Sequence, residues 1–190
     1  MRTTFYIKNM VCDRCIKVVS EELSKLGYEI WKINLGEAVI DSADTPPNLT
    51  KIRSALINSG FDLVDDKNSK MIERIKVLLI EKIHHQTDKL EKFSFSKYLS
   101  AELGVNYSHL SSVFSSNEGI TIEKFIIKQK IEKAKELLTY DELNLSEISY
   151  KLGYSSVQHL SNQFRQITGL NPSFFKKLKE NKRTPLDHLD

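Results

Sequence analysis

No stretch of the 190 residues approaches the roughly 20 consecutive apolar positions that a membrane-spanning helix needs. The first residues, Met1 to Lys8, also lack the charged-then-apolar pattern of a signal peptide, so a cytoplasmic protein that does not engage a membrane is expected. Cysteine is nearly absent: Cys12 and Cys15 are the only two, and both sit in one short segment. A disulfide framework is thereby excluded, and a dithiol site in a reducing compartment fits better. With four prolines and seven glycines there is no low-complexity linker and no glycine-rich loop to cradle phosphate. No nucleophile triad and no paired-carboxylate site can be read either, so no enzymatic activity is expected.

What is present is charge, unevenly placed. The net charge is +3. Residues 1–67 carry 9 basic and 10 acidic side chains, against 19 and 15 for residues 68–190. The positive excess in the second part suits a polyanionic partner. That part also contains a repeat. Leu99-Ser100-x-x-Leu103-Gly104 is followed by His109-Leu110-Ser111, Phe114 and Gly119, and Ile148-Ser149-x-x-Leu152-Gly153 by His159-Leu160-Ser161, Phe164 and Gly169. The copies are offset by 49 residues before the turn and 50 after it, and a turn is where one extra residue costs least. Each copy reads as a helix ended by glycine, a short polar turn and a second helix with its apolar positions on one face. The pattern predicts two helix-turn-helix units, at about 95–119 and 144–169, joined by a helix over 122–138.

The first 67 residues read differently. Residues 3–9 predict a strand, and Ile16, Val19, Leu23 and Leu26 recur at helical spacing up to Gly27. Trp31, Ile33 and Leu35, then Ala38 and Ile40, alternate around a turn at Gly36-Glu37. After Pro46-Pro47, Asn48 caps a helix with Ile52, Leu56 and Ile57, ended by Gly60, and Phe61 to Val64 closes the set as a strand. The fold class is therefore α+β: a ferredoxin-like βαββαβ domain over 1–67, then an all-α double helix-turn-helix domain over 68–190. Asp65 to Ser69 is the polar connector, and Ile72, Ile75, Leu78, Leu79 and Ile83 predict a packed helix from Met71 to His84. His84-His85, at its end, is read as solvent-facing.

Residues from about 71 to 178 resemble the DNA-binding domain of the AraC/XylS family of bacterial transcription regulators. The resemblance rests on Ile148-Ser149-x-x-Leu152-Gly153-Tyr154-Ser155-Ser156, His159-Leu160-Ser161-x-x-Phe164-Arg165 and Thr168-Gly169-Leu170-Asn171-Pro172-Ser173-x-Phe175. It implies two recognition helices in adjacent major grooves of double-stranded DNA. A linker of about 25 Å at 1.5 Å per residue makes a one-turn separation of about 34 Å reachable. It also places Gln158, His159, Ser161 and Asn162 toward base edges, where Gln and Asn pair with adenine, and Ser155 and Arg165 at phosphates. The first recognition helix offers Ser108, His109, Ser111 and Ser112, with Ser115 and Ser116 beyond them. Serine is a tolerant base reader, so less specificity is expected there, with a merely solvated face as the alternative. Lys176, Lys177, Lys179, Lys182 and Arg183 form a basic end suited to further phosphate contacts.

Residues 2–67, with Met10-Val11-Cys12-Asp13-Arg14-Cys15 between the first strand and first helix, resemble the heavy-metal-associated domain of copper chaperones and metal-exporting ATPases. The resemblance implies a soft metal, Cu(I) first, between Cys12 and Cys15, with Met10 in the core. At a helix start both thiols can face one ion, and the helix N-terminus is expected to lower their pKa. Asn9 stands where the family has glycine, and Asp13-Arg14 where it has small residues; a carboxylate beside two thiolates tilts the site toward Zn(II) or Cd(II). A thiol redox switch and a metal-free domain used for dimerisation into a homodimer or for another ligand are the alternatives. Together the parts predict a metal-responsive, sequence-specific transcription regulator. A redox-sensing regulator and a metal carrier without a DNA role are its rivals.

Overall fold

The computed structural model describes residues 2–41, 46–86, 90, 93–140 and 142–177. The chain divides into two compact units, Met1–Val77 and Leu78–Asp190. The division falls eight residues beyond the polar connector Asp65 to Ser69, because helical residues that follow the connector pack with the first unit.

In the first unit the order is β1 (Arg2–Lys8), α1 (Asp13–Lys25), β2 (Glu29–Asn34), β3 (Glu37–Asp41), α2 (Leu49–Asn58) and β4 (Asp62–Val64). The strands form one antiparallel sheet in the order β2-β3-β1-β4, with Phe5 opposite Ala38 and Ile7 opposite Leu63. Alternation sends Phe5, Ile7, Ala38, Ile40 and Leu63 to one face, where they form a core with Val19 and Leu23 of α1 and Ile52 and Leu56 of α2. Both helices therefore cover the same face. Asn48 caps α2 by accepting from the Lys51 amide at 3.0 Å, as its sequence predicts.

The other face meets α3 (Lys67–Ile80). The Lys70 ammonium lies 5.2 Å from the centre of the Tyr6 ring, and a Cβ on Gly36 would come within 3.0 Å of the Val77 side chain. The helix begins earlier than expected, at Lys67, where Asp66 Oδ1 accepts from the Ser69 amide at 2.9 Å. It also ends differently: Glu81–His85 form a π-helical turn, closed by the Gln86 amide donating to the Glu81 carbonyl.

Two further expectations are corrected. The hairpin turn is Leu35-Gly36, since Glu37 already pairs with Asn34. Of the alternating Trp31, Ile33 and Leu35, the last two pack against the core and Trp31 does not, because a register shift between Ile30 and Lys32 inserts it as an extra residue. Ile30 and Ile33 reach the core while Trp31 stays 55% exposed under the Arg2 guanidinium.

The second unit is helical: α4 (Phe95–Leu103), α5 (Tyr107–Glu118), α6 (Ile122–Tyr140), α7 (Leu145–Lys151), α8 (Val157–Thr168) and α9 (Pro172–Lys177). Ile131, Ala134 and Leu138 of α6 close a core with Ile148, Leu152, Leu160, Phe164 and Phe175. Leu99, Leu110, Phe114, Ile122 and Phe125 are the buried counterparts around α4 and α5. Asn144 and Glu147 form the expected capping box at the start of α7, with bonds of 2.7 to 3.0 Å. His84 corrects the reading of a solvent-facing pair. It is 8% exposed, its Nε2 lies 2.8 Å from Gln129 Oε1 on α6, and burial pulls its imidazole down to about 4.

Candidate functional site

Each helix-turn-helix unit presents its second helix, α5 or α8, with one face packed and the other turned to solvent. Asn106 starts α5 by accepting from the Ser108 amide at 2.9 Å, and Ser156 starts α8 by accepting from the His159 amide at 3.1 Å. Leu110 and Phe114, four apart, anchor α5; Leu160 and Phe164 anchor α8. Each phenylalanine meets an aromatic ring of the following helix edge to face, Phe114 on Phe125 at 5.6 Å and Phe164 on Phe175 at 5.4 Å. Anchoring of this kind fixes the roll of each helix and hence the side chains it offers outward.

On α8 the outward residues are Gln158, His159, Asn162 and Arg165, with Ser161 half-buried at the edge of the face and Ser155 exposed in the turn. Gln158 Nε2 donates to Asn162 Oδ1 at 2.8 Å, a bond that uses neither the Gln158 Oε1 acceptor nor the Asn162 amide donors of these two exposed side chains. His159 Nδ1 lies 3.2 Å from Ser155 Oγ, and its ring stands edge-on to Tyr154 at 5.2 Å.

The corresponding face of α5 is poorer in reach. Ser108, His109 and Ser112 are exposed and Ser111 is half-buried. The Ser108 hydroxyl donates to the capping Asn106 at 2.8 Å, and Ser115 donates back to the Ser111 carbonyl at 2.7 Å, so two of the serine protons already serve the backbone and cap. Tyr107 at its start donates to Glu123 of α6; burial and that carboxylate push the phenol up. Of the ten residues the sequence offered for these faces eight are exposed, and the internal bonds among them, which depend on rotamers, leave no mark in the sequence. Of the expected basic end, Lys176 and Lys177 are exposed on α9, while Lys179, Lys182 and Arg183 lie outside the described residues.

The dithiol occupies the loop from β1 into α1. Asn9 turns the chain with a φ of 71°, held by its side-chain amide donating to the Gly60 carbonyl at 3.0 Å. Met10 is 2% exposed in the core, as expected. Cys12 is the N-cap of α1, Cys15 lies in its first turn, and the two half-buried thiols, not joined by a disulfide, share a hydrogen bond with sulfurs 3.6 Å apart. One ion with metal–sulfur bonds near 2.3 Å spans at most about 4.6 Å between sulfurs, so the pair fits a single soft ion. The expected lowering of both pKa values does not hold at Cys15. Burial pushes its thiol up and the neighbouring Cys12 adds to this, against the pull of backbone hydrogen bonds from Val11 and Cys12. Among the described residues no third His, Cys, Asp or Glu joins the pair.

Residues 99–178 match the family model described as a helix-turn-helix domain. The chain is 26% identical over 129 residues to a protein of Photobacterium leiognathi named as the probable transcriptional regulator LumQ, covering 68% of this chain and 50% of that protein. It is 29% identical over 119 residues to the uncharacterised helix-turn-helix-type transcriptional regulator YfiF of Bacillus subtilis, covering 62% and 38%. The chain thus spans half or less of the length of these relatives. A transcriptional regulator from Chromobacterium violaceum, described by its AraC-type DNA-binding domain, superposes with a TM-score of 0.51 at 20% identity, covering 62% of this chain and 99% of that one. Among the described residues no helix is long and apolar enough to cross a membrane. Residues 99–178 thus carry the pattern of a helix-turn-helix domain, and the C-terminal unit shares its fold with that Chromobacterium violaceum structure.

Proposed function

We propose that the protein is a sequence-specific transcription regulator of the AraC/XylS family whose DNA binding responds to a soft metal ion held by Cys12 and Cys15. The observation that carries the DNA reading is the pair of like-built helices α5 and α8, each anchored by a buried Leu-x-x-x-Phe and each with polar side chains on its exposed face. Gln158, His159, Ser161 and Asn162 meet base edges, Ser155 and Arg165 meet phosphates, and Ser108, His109, Ser111 and Ser112 form the weaker second contact. The relatives named as transcriptional regulators support this reading.

Support for the metal reading comes from the βαββαβ order with strand order β2-β3-β1-β4, which accords with the heavy-metal-associated ferredoxin-like domain, and from two sulfurs 3.6 Å apart at a helix start. Cu(I) suits a site of two thiolates, and Zn(II) or Cd(II) would need further donors from water or a partner. Loading must expel the Cys15 proton, so affinity falls as pH is lowered. For the metal to alter DNA binding it must bind the DNA-bound and DNA-free states with different affinity.

Titration with Cu(I) and Zn(II) under chelator competition, run beside DNA-binding assays, tests both halves. Cys12→Ser with Cys15→Ser should abolish tight metal binding and leave the DNA affinity of the apo-protein nearly unchanged. Unaltered metal affinity in the double variant removes the site. A metal-independent change in DNA affinity on reversible oxidation of the two thiols would favour the redox-switch reading instead.

A further inference from the structure

Lys130, on α6, places its ammonium between two rings that belong to different helix-turn-helix units. It is 5.5 Å from the centre of Phe95, the first residue of α4, and 5.3 Å from the centre of Tyr154, in the turn before α8. Burial draws its pKa down to about 8, so the charge is kept at neutral pH. A methionine or leucine would fill this space without the cost of drying a cation. What the ammonium adds is attraction to the faces of both rings at once, and with it a preferred placement of each.

A second set of contacts joins the same two units by a different route. Leu90 precedes the first unit, yet its amide donates to the Lys151 carbonyl of the second at 3.0 Å. A Cβ on Gly153 would lie 2.3 Å from the Leu90 carbonyl oxygen, so the Leu90 backbone lies against the second turn. From the π-helical turn a file of side chains runs to the recognition helix. Lys82 lies 4.6 Å from the Phe93 ring, Phe93 is 4.9 Å from Phe95, and Lys130 joins Phe95 to Tyr154, which touches His159.

We propose that Lys130 is a positioning residue that clasps the two helix-turn-helix units into one body, so that DNA is recognised only with its two half-sites at one separation. The consequence for DNA rests on the function proposed above; the clasp itself does not. Inserting one base pair between half-sites rotates one of them by about 34° relative to the other. A clasped pair of helices cannot follow that rotation, whereas an unclasped pair can.

The test uses the full chain with Cys12 and Cys15 replaced by serine and spin labels at Ser116→Cys on α5 and Gln166→Cys on α8, both exposed sites. The parent and Lys130→Arg should give one narrow distance distribution, and Lys130→Met a broadened one. Phe95→Leu, which removes one ring face, should broaden it as well and decides the matter if Lys130→Met does not fold. A distribution as narrow as the parent's in the folded variant overturns the clasp. In a second arm, duplexes are selected from a random library by the protein with its natural cysteines. One inserted base pair should weaken parent binding by about tenfold and the Lys130→Met variant by much less. An equal loss in both overturns the positioning role, while failure of the parent to enrich any duplex sinks the DNA reading and leaves the distance measurement to judge the clasp.

Discussion

The helices α5 and α8 are copies in everything that holds them and different in everything they offer. Both run for 12 residues from a side-chain cap to a glycine of positive φ, and both are fastened by Leu and Phe four residues apart, with an aromatic ring from the next helix on the phenylalanine. Outward, α8 shows a hydrogen-bonded pair of amides and an arginine where α5 shows serines partly turned back on their own backbone. Scaffold and readout are therefore separable: residues on the packed face are constrained by the copy's own core, while those on the solvent face are free to diverge.

The largest effects should be the ones the copies share. Phe114→Ala and Phe164→Ala each delete a fully buried ring and should destabilise the C-terminal unit by about 3–5 kcal/mol in urea unfolding. A difference between the two well beyond 1 kcal/mol would break the equivalence of the scaffolds.

A middle-sized effect belongs to the segment that precedes both copies. His84 is held neutral, at about 4 against an unfolded value near 6.5, with Gln129, Lys133, Glu136 and His85 around it. Between those values the unfolded chain binds more protons, so this stability is fully present above pH 6.5 and is lost as pH falls toward 4. Unfolding free energy should drop by about 2 kcal/mol from pH 7.5 to 5 through this group alone. His84→Gln, measured beside the parent, should show that much less pH dependence; identical slopes would refute the assignment.

Smaller again, and the sharpest test of the difference, are the readouts. Gln158→Ala or Asn162→Ala should cost about 1–3 kcal/mol of DNA affinity and relax the base preference. Ser111→Ala and Ser112→Ala should cost about 1 kcal/mol or less, the net worth of a single hydroxyl bond. Selection that found the strictest bases under α5 would reverse the ranking. The smallest effect expected is at the caps: Asn106→Ala and Ser156→Ala should each lower stability by about 1 kcal/mol and do so alike.

What could be read in advance follows from how local each feature is. Asn48, Asn144 with Glu147, and the Leu-x-x-x-Phe anchors declare themselves within a few residues, because a cap or a helix face is completed by near neighbours. Trp31 misled because one inserted residue in β2 reverses a face without leaving a mark in the alternation. His84 misled because its partner, Gln129, is 45 residues away and nothing near it signals burial. Cys12 and Cys15 were found by spacing alone, yet the thiol pKa of Cys15 answers to burial that spacing does not encode. Leu90 and Lys130 carry no local signal, since the groups they meet come from other elements.

Gly104 and Gly153 hold the same place in the two copies, with φ of 64° and 68°. Around Gly104 a side chain would find nothing within 4 Å, whereas at Gly153 the carbonyl of Leu90 already occupies the space. Asparagine tolerates this backbone conformation, so one turn admits a replacement at modest cost. The other cannot, and the cause lies outside the repeat. Gly153 is thus held to glycine by Leu90, a residue of neither copy, and Gly104 by its backbone conformation alone.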